Sequence, residues 1–215
     1  MSVTLHPDGF YYGNDYMTQE QMEVNATWVY NYFHERGWTD NAIAGILGNL
    51  QAESNINPGL WEGRTYWPDT TTKRKGYGLT QWTPWTNITN WLDEKGYSWT
   101  HISHQCERIA GEMETPGNYD QYYSTNEWPI SGPEFTKSTD TPYNLACVFA
   151  RNYERSAAVL EGGEAKEKVY KARGANADKW YEYITGITPT PPPSTKKEKS
   201  IIDLLLMTRR RYVVR

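Results

Sequence analysis

The chain is poor in the features that would commit it to several large classes of protein. No apolar run approaches the ~20 residues that a membrane-spanning helix needs, and the mean hydropathy is -0.81. Residues 1–16 are polar and aromatic, with neither a basic nor an apolar stretch, so no secretory leader is expected. Only two cysteines are present, Cys106 and Cys147, in helix-like segments. Without an export signal they are expected as buried thiols and not as a disulfide. Four histidines offer His101-x-x-His104 as a pair, with no third ligand at a zinc-like spacing, so neither a metal nor another cofactor is expected. A phosphate-cradling glycine loop and a serine nucleophile elbow are both missing.

Phenylalanine is scarce as well. Four Phe stand against 10 Trp and 17 Tyr, and Trp and Tyr combine a flat apolar face with a hydrogen-bonding edge. That bias suits a surface that stacks on sugar rings, or a protein-binding surface. Composition does not separate the two.

At 215 residues the chain can bury one good core. Thr18-x-x-Gln21 forms a capping-box pattern and opens a helix to about Arg36, closed by Gly37, with Met22, Ala26, Val29 and Phe33 facing inward. Thr39 or Asp40 caps a second helix over 41–53. Residues 55–75 are rich in Asn, Pro, Gly and Thr and read as a long loop or a small irregular β excursion. Further helices are expected at about 86–95, 101–114, 142–154 and 164–184, with Thr141 and Pro142 opening the third of these. The fold class is therefore mainly α, a helical bundle with one irregular or β insertion. Residues 1–15 form an N-terminal segment and 16–185 the globular domain.

Composition changes after Gly186. Thr188 to Ser194 is a stiff proline-rich linker, counted over 186–195. In residues 196–215 seven Lys/Arg face Glu198 and Asp203, a net of +5 that leaves -9 on residues 1–195 within a chain total of -4. Ile201, Ile202 and Leu204 to Leu206 lie between the basic clusters, which gives the outline of an amphipathic docking segment. A solvated tail is the alternative. The acidic body, and a tail without aromatic-basic interleaving, argue against nucleic acid as a partner.

Glu53 carries the chemistry. Ile43, Ile46, Leu47 and Leu50 repeat at helical spacing, and Glu53 ends that helix on the flank of the stripe. Partial desolvation and the negative end of the helix dipole both favour its protonated, proton-donating form. The alternative is a boundary glutamate that pairs with a lysine or arginine. Glu53-Ser54 is followed by Gly78-Leu79-Thr80-Gln81, an order and separation that resembles the Glu-Ser and Gly-x-x-Gln motifs of lysozyme-like muramidases and lytic transglycosylases.

The resemblance extends further. Gly37 to Thr39, Ala42 to Asn49, Gln51 to Ser54, Ile56 to Trp61, Gly76 to Pro84 and Phe149-x-x-Asn152-Tyr153-Glu154-Arg155 are together similar to bacteriophage tail lysozymes, over about residues 16–184. That resemblance implies a lysozyme-like fold and cleavage of peptidoglycan between N-acetylmuramic acid and N-acetylglucosamine, with Glu53 as general acid. It implies a setting in the virion tail or in the host cytoplasm before lysis. The basic tail, by its own charge and apolar pattern, is expected to dock onto a tail component or an anionic membrane or wall polymer. Asp69 is the first choice for a second carboxylate and Glu62 the other, both in the 55–75 insertion. Gln81 and Tyr153 are expected to position the sugar, Gly78 to allow close approach, and Tyr77, Trp82 and Trp61 to stack on it, although each aromatic also suits the core. The chain lacks the Ala-Tyr-Asn-x-Gly segment of transglycosylases, which favours hydrolysis over the anhydro-forming reaction. A wall-binding protein without activity is a further alternative.

Overall fold

The computed structural model describes residues 2–66, 74–115 and 121–186, so Asp69, the proline-rich linker and the basic tail lie outside the described residues. Eight α-helices make up most of that part. They are α1 (Gln19–Glu35), α2 (Asp40–Ser54), α3 (Thr86–Glu94), α4 (Ile102–Glu114), α5 (Gly132–Lys137), α6 (Pro142–Phe149), α7 (Ala157–Glu161) and α8 (Gly163–Thr185). A two-stranded antiparallel sheet pairs β1 (Thr4–Leu5) with β2 (Tyr11–Tyr12), Thr4 opposite Tyr12 and Leu5 opposite Tyr11. No helix among the described residues is long and apolar enough to cross a membrane.

Local chemistry sets the helix ends. Thr18 Oγ1 accepts from the Gln21 amide at 3.3 Å while Gln21 Oε1 accepts from the Thr18 amide at 3.0 Å, the reciprocal pair of a capping box. Thr39 caps α2 by accepting from Ala42 N at 3.1 Å. α2 is the axis of the molecule: every residue from Ala42 to Leu50 is buried, as expected of a helix apolar on all sides. It packs most extensively against α8 and next against α6. Gly48 makes the first contact possible, because a Cβ there would lie 2.5 Å from the Arg173 carbonyl oxygen of α8.

The N-terminal segment joins this core. Phe10 is fully buried, and two buried amides clamp the segment in place. Asn25 donates to Tyr11 O and Ile56 O, each at 2.8 Å, and Asn57 donates to Gly13 O and Asp15 O, each at 2.8 Å.

Two departures from the sequence reading stand out. The helix expected over 142–154 is α-helical only to Phe149. Residues Ala150–Glu154 then form a π-turn, closed by an Arg155 N to Ala150 O bond of 2.9 Å with Arg155 in the left-handed region. α5 and α7 were not anticipated. α5 carries a legible signal, since Ser131 and Glu134 form a capping box with Pro133 between them. Residues 55–66 and 74–85 are irregular, with isolated antiparallel bridges from Tyr77 to Trp61 and to Trp82. Cys106 and Cys147 are buried free thiols, and burial pushes the Cys147 thiol up to about 12.

Candidate active site

Glu53 occupies the last turn of α2 with its side chain 21% exposed, at the edge of the core and open to solvent on one side. Asn55 and Ile56, both at φ 55°, then turn the chain sharply away. Ser54, next to Glu53, is buried, and its hydroxyl donates to the Leu79 carbonyl oxygen at 2.8 Å. The two motifs of the sequence, Glu-Ser and Gly-x-x-Gln, are therefore joined by a hydrogen bond.

The turn that carries Gln81 is held just as closely. Gly78 has φ +82°, and a Cβ there would sit 2.6 Å from Gln105 Oε1, so glycine is required by backbone angle and by space. Gln105, buried on α4, accepts from Leu79 N at 2.8 Å and donates to Pro58 O at 2.7 Å and Trp99 O at 2.6 Å. Gln81 itself has φ 51° and donates from Nε2 to Leu60 O at 2.9 Å and Gly78 O at 3.0 Å. Its amide nitrogen thus pins the turn, and its Oε1 faces Gly76.

Arg173 is the site residue the sequence reading missed. It lies on α8, only 6% exposed, and donates from Nη2 to Glu53 Oε1 and from Nη1 to Asn49 Oδ1 at 2.6 Å. Asn49 is itself fixed by bonds to Gly45 O at 2.9 Å and Ala146 O at 3.0 Å. Arg173 is thus the arginine partner that the alternative reading of Glu53 provides for. A signal existed: Tyr170, Arg173, Gly174, Ala177, Trp180 and Ile184 share the buried face of α8 at helical spacing, with a lone cation among them.

A second polar cluster lies behind the Gln81 turn. Glu112 on α4 is buried, accepts from Arg108 Nε at 2.6 Å and accepts from the Tyr153 hydroxyl. Burial pushes the Glu112 carboxyl up, against the opposing pull of Arg108. Glu154, the next residue along, is partly exposed as a whole, but its Oε1 is sealed from solvent with no hydrogen-bond partner. Burial, reinforced by the negative charge of Glu53, pushes the Glu154 carboxyl well up, and Arg173 offsets part of that rise. Arg155 donates to the carbonyls of Gln121 at 2.5 Å and Asn152 at 3.4 Å.

The structure places the aromatic candidates elsewhere than a sugar surface. Tyr153 is 0% exposed and stacked on Phe149, with ring centroids 4.3 Å apart. Tyr77, Trp82 and Trp61 are likewise buried, and Trp61 packs on Tyr77 at 4.5 Å. The reason is general. Trp38, Trp85, Trp91 and Trp180 are buried too, so this chain fills its core with the aromatics that composition alone assigned to a surface. The exposed rings near the site are Tyr66, edge-on to Trp61, and Tyr123, which lies beneath the Arg155 guanidinium at 4.7 Å. Glu62 acts as a loop clamp, accepting from Gly76 N at 2.8 Å and Lys75 Nζ at 3.2 Å.

One group of metal-ligating side chains converges among the described residues. His6, Asp8 and His101 bring ligand atoms within 4.8 Å of one another. His101 Nε2 lies 3.0 Å from Asp8 Oδ2, but its Nδ1 is buried without a partner. The ring therefore lacks the second hydrogen bond that orients a metal-bound imidazole. The trio reads as a strap between the N-terminal turn and α4.

A mainly α domain that presents a helix-end glutamate to a Gly-x-x-Gln turn belongs to the lysozyme-like class. The phage tail lysozyme family profile matches residues 24–184, and the chain belongs to that family. It is 38% identical over 177 residues to Morphogenesis protein 1 of Bacillus phage B103, a match that covers 82% of this chain and 44% of that protein. The chain thus spans less than half the length of this relative. Family membership supports a lysozyme-like, cell-wall-lytic role in a phage setting.

Proposed function

We propose that the chain is a muramidase that hydrolyses the glycosidic bond between N-acetylmuramic acid and N-acetylglucosamine in peptidoglycan. The observation that carries this reading is the Ser54–Leu79 hydrogen bond, which holds the Glu53 end of α2 against the Gln81 turn. Glycoside cleavage needs a proton delivered to the leaving oxygen as positive charge develops on the sugar. Glu53 is the proton donor, open to solvent on one side and backed by the core on the other. Gln81 and the backbone of its turn position the sugar, with Gly78 letting that turn pack against the buried Gln105. A hydrogen-bonded turn anchored at both ends suits this, because fixed donors and acceptors need no rearrangement during the reaction.

Glu53→Gln tests the reading. The folded variant is expected to lose clearing of purified cell walls, and retained clearing would sink the assignment. Mass spectrometry of the wild-type digest is expected to show reducing-end muramic acid. Products ending in 1,6-anhydromuramic acid would instead assign a lytic transglycosylase. The basic segment 196–215 is proposed to dock the enzyme onto a virion component or an anionic wall or membrane polymer, on the strength of its net charge of +5. Its deletion is then expected to spare activity on isolated peptidoglycan and to reduce particle incorporation or whole-cell lysis. Undiminished performance in all three assays would rule that role out.

A further inference from the structure

The family profile matches residues 24–184, so the N-terminal segment lies outside it. That segment is nevertheless fastened to the loop beside the Gln81 turn. Asn14 Oδ1 accepts from Trp61 N at 3.0 Å, and Asn14 Nδ2 donates to Arg64 O at 2.9 Å. Asn57 Oδ1 accepts from Gly13 N at 3.3 Å, and a Cβ on Gly59 would lie 2.8 Å from that same nitrogen. The loop is held in turn to the Gln81 turn. Leu60 O accepts from Gly78 N at 3.0 Å and from Gln81 Nε2 at 2.9 Å, and Trp61 bridges to Tyr77. Residues 13–16, 57–66 and 76–82 thus form one continuous wall.

Two exposed rings stand on that wall. Tyr16 is 58% and Tyr66 53% exposed, and neither hangs free. The Arg64 guanidinium lies 4.8 Å from the centre of the Tyr16 ring, while its Nη1 donates to Asp15 Oδ1 at 3.1 Å. Tyr66 meets the buried Trp61 at 5.3 Å with the ring planes at 81°, which leaves at least one face of Tyr66 uncovered by Trp61. Gly63 at φ 69° and Arg64 at φ 58° are both left-handed, a strained region for an arginine. Such strain persists where the surroundings enforce it, and it gathers at ligand sites. Here the Asn14 and Asp15 bonds to Arg64 enforce it.

Charge narrows the ligand class. Arg64 is balanced by Asp15, and Lys75 by Glu62 at 3.2 Å. Balanced pairs around two flat rings suit a neutral ligand better than an anionic polymer. An N-acetylated amino sugar has the right chemistry: its apolar C–H face lies on a ring, and its hydroxyl and amide groups meet the polar rim.

We propose that Tyr16 and Tyr66 are saccharide-binding residues that stack on amino-sugar rings of the glycan strand beside the ring held at Gln81, so that the N-terminal segment completes the substrate wall. The proposal rests on the muramidase reading of the site. It supplies the aromatic contacts that the buried Tyr77, Trp82 and Trp61 do not. Rings already braced by Arg64 and Trp61 lose little freedom on binding, which lowers the cost of association.

The test joins binding and kinetics on the full chain. Glu53→Gln is titrated with the N-acetylglucosamine tetramer, alone and combined with Tyr16→Ala, Tyr66→Ala, Tyr66→Phe or Tyr66→Trp. Tyr66→Ala is expected to weaken Kd about tenfold and Tyr16→Ala about threefold to tenfold. Tyr66→Phe and Tyr66→Trp keep a ring face and are expected to stay within about threefold of the parent. With Glu53 intact, Tyr66→Ala is expected to lower kcat/KM on soluble glycan strands about tenfold, mainly through KM. No tetramer binding by the parent, or unchanged affinity in Tyr66→Ala, overturns the proposal. So does a loss in Tyr66→Phe as large as that in Tyr66→Ala. Unchanged affinity in Tyr16→Ala removes the N-terminal segment from the wall. Reduced particle incorporation by Tyr66→Ala with full tetramer affinity would assign the ring to a protein partner instead.

A second measurement leaves both rings in place. Carbon-13 NMR of tyrosine-labelled Glu53→Gln is expected to show the Tyr16 and Tyr66 ring signals, assigned through their Phe variants, shifting as tetramer is added. Both signals unmoved at saturation overturn the proposal even if the Ala variants fail to fold. If the wild type does not cleave peptidoglycan but the tetramer binds at these rings, the muramidase reading falls and the saccharide wall stands. Cleavage with full kcat/KM in Tyr66→Ala gives the reverse.

Discussion

The hydroxyl of Ser54 donates to the carbonyl oxygen of Leu79 across 2.8 Å, inside the core, from the last turn of α2 to the Gly-x-x-Gln turn. Ser54 has one proton to give, and the carbonyl of Leu50 at 3.1 Å is the poorer acceptor. This bond is what makes two short, separate motifs into one site.

Ser54→Ala should therefore destabilise the fold and slow catalysis together. Leaving the buried Leu79 carbonyl without this donor costs about 1–2 kcal/mol, read as a lower urea midpoint. The freed turn is expected to lower kcat/KM by roughly tenfold to a hundredfold through misplacement of the substrate. Full activity in a destabilised Ser54→Ala would show that the bond supports the fold alone.

Arg173 is predicted to matter for both its contacts. Arg173→Met leaves Glu53 and the Asn49 carbonyl oxygen unpaired. Breaking a buried ion pair costs ~3–5 kcal/mol, discounted here to roughly 1–3 kcal/mol because Glu53 is 21% exposed. Arg173→Lys should recover only part of that loss, since one ammonium does not reproduce a fork that reaches two acceptors. Calorimetric unfolding of the two variants checks this, and equal stability for Lys and Arg would refute it.

Stability is predicted to fall as pH rises through the window opened by Glu112. Burial raises this carboxyl in the folded protein, so between about 4.3, its value in an unfolded chain, and the raised folded value the native state binds more protons. Unfolding then releases protons, and the contribution of Glu112 is greatest at the acid end of the window and is lost as pH rises. Chemical denaturation at pH 5 and pH 8 should show this decline in wild type and a smaller one in Glu112→Gln. An identical pH difference in both would remove Glu112 as its source.

Legibility divides by range. α1, α2, α6 and α8 were readable because their caps and apolar repeats act within a few residues: Thr18 with Gln21, Thr39 with Ala42, Thr141 with Asn144. The Glu53 and Gln81 motifs were readable as short patterns in a fixed order. The π-turn was not, because nothing local in Ala150 to Glu154 interrupts a helical pattern; packing against neighbouring segments decides it. The aromatics were misplaced for a related reason. Trp and Tyr suit a sugar surface and a core equally well, and only the assembled molecule shows which rings are covered.

The sequence by itself determined a mainly α domain, its central helix and a glutamate at the end of that helix next to a Gly-x-x-Gln turn. It did so because capping, periodicity and motif order are written within a few residues. Tertiary structure alone decided what surrounds that glutamate. Arg173 reaches it from 120 residues away in the chain. Burial and the balance of charge around a site depend on which helices pack together, so they exist only once the chain has folded.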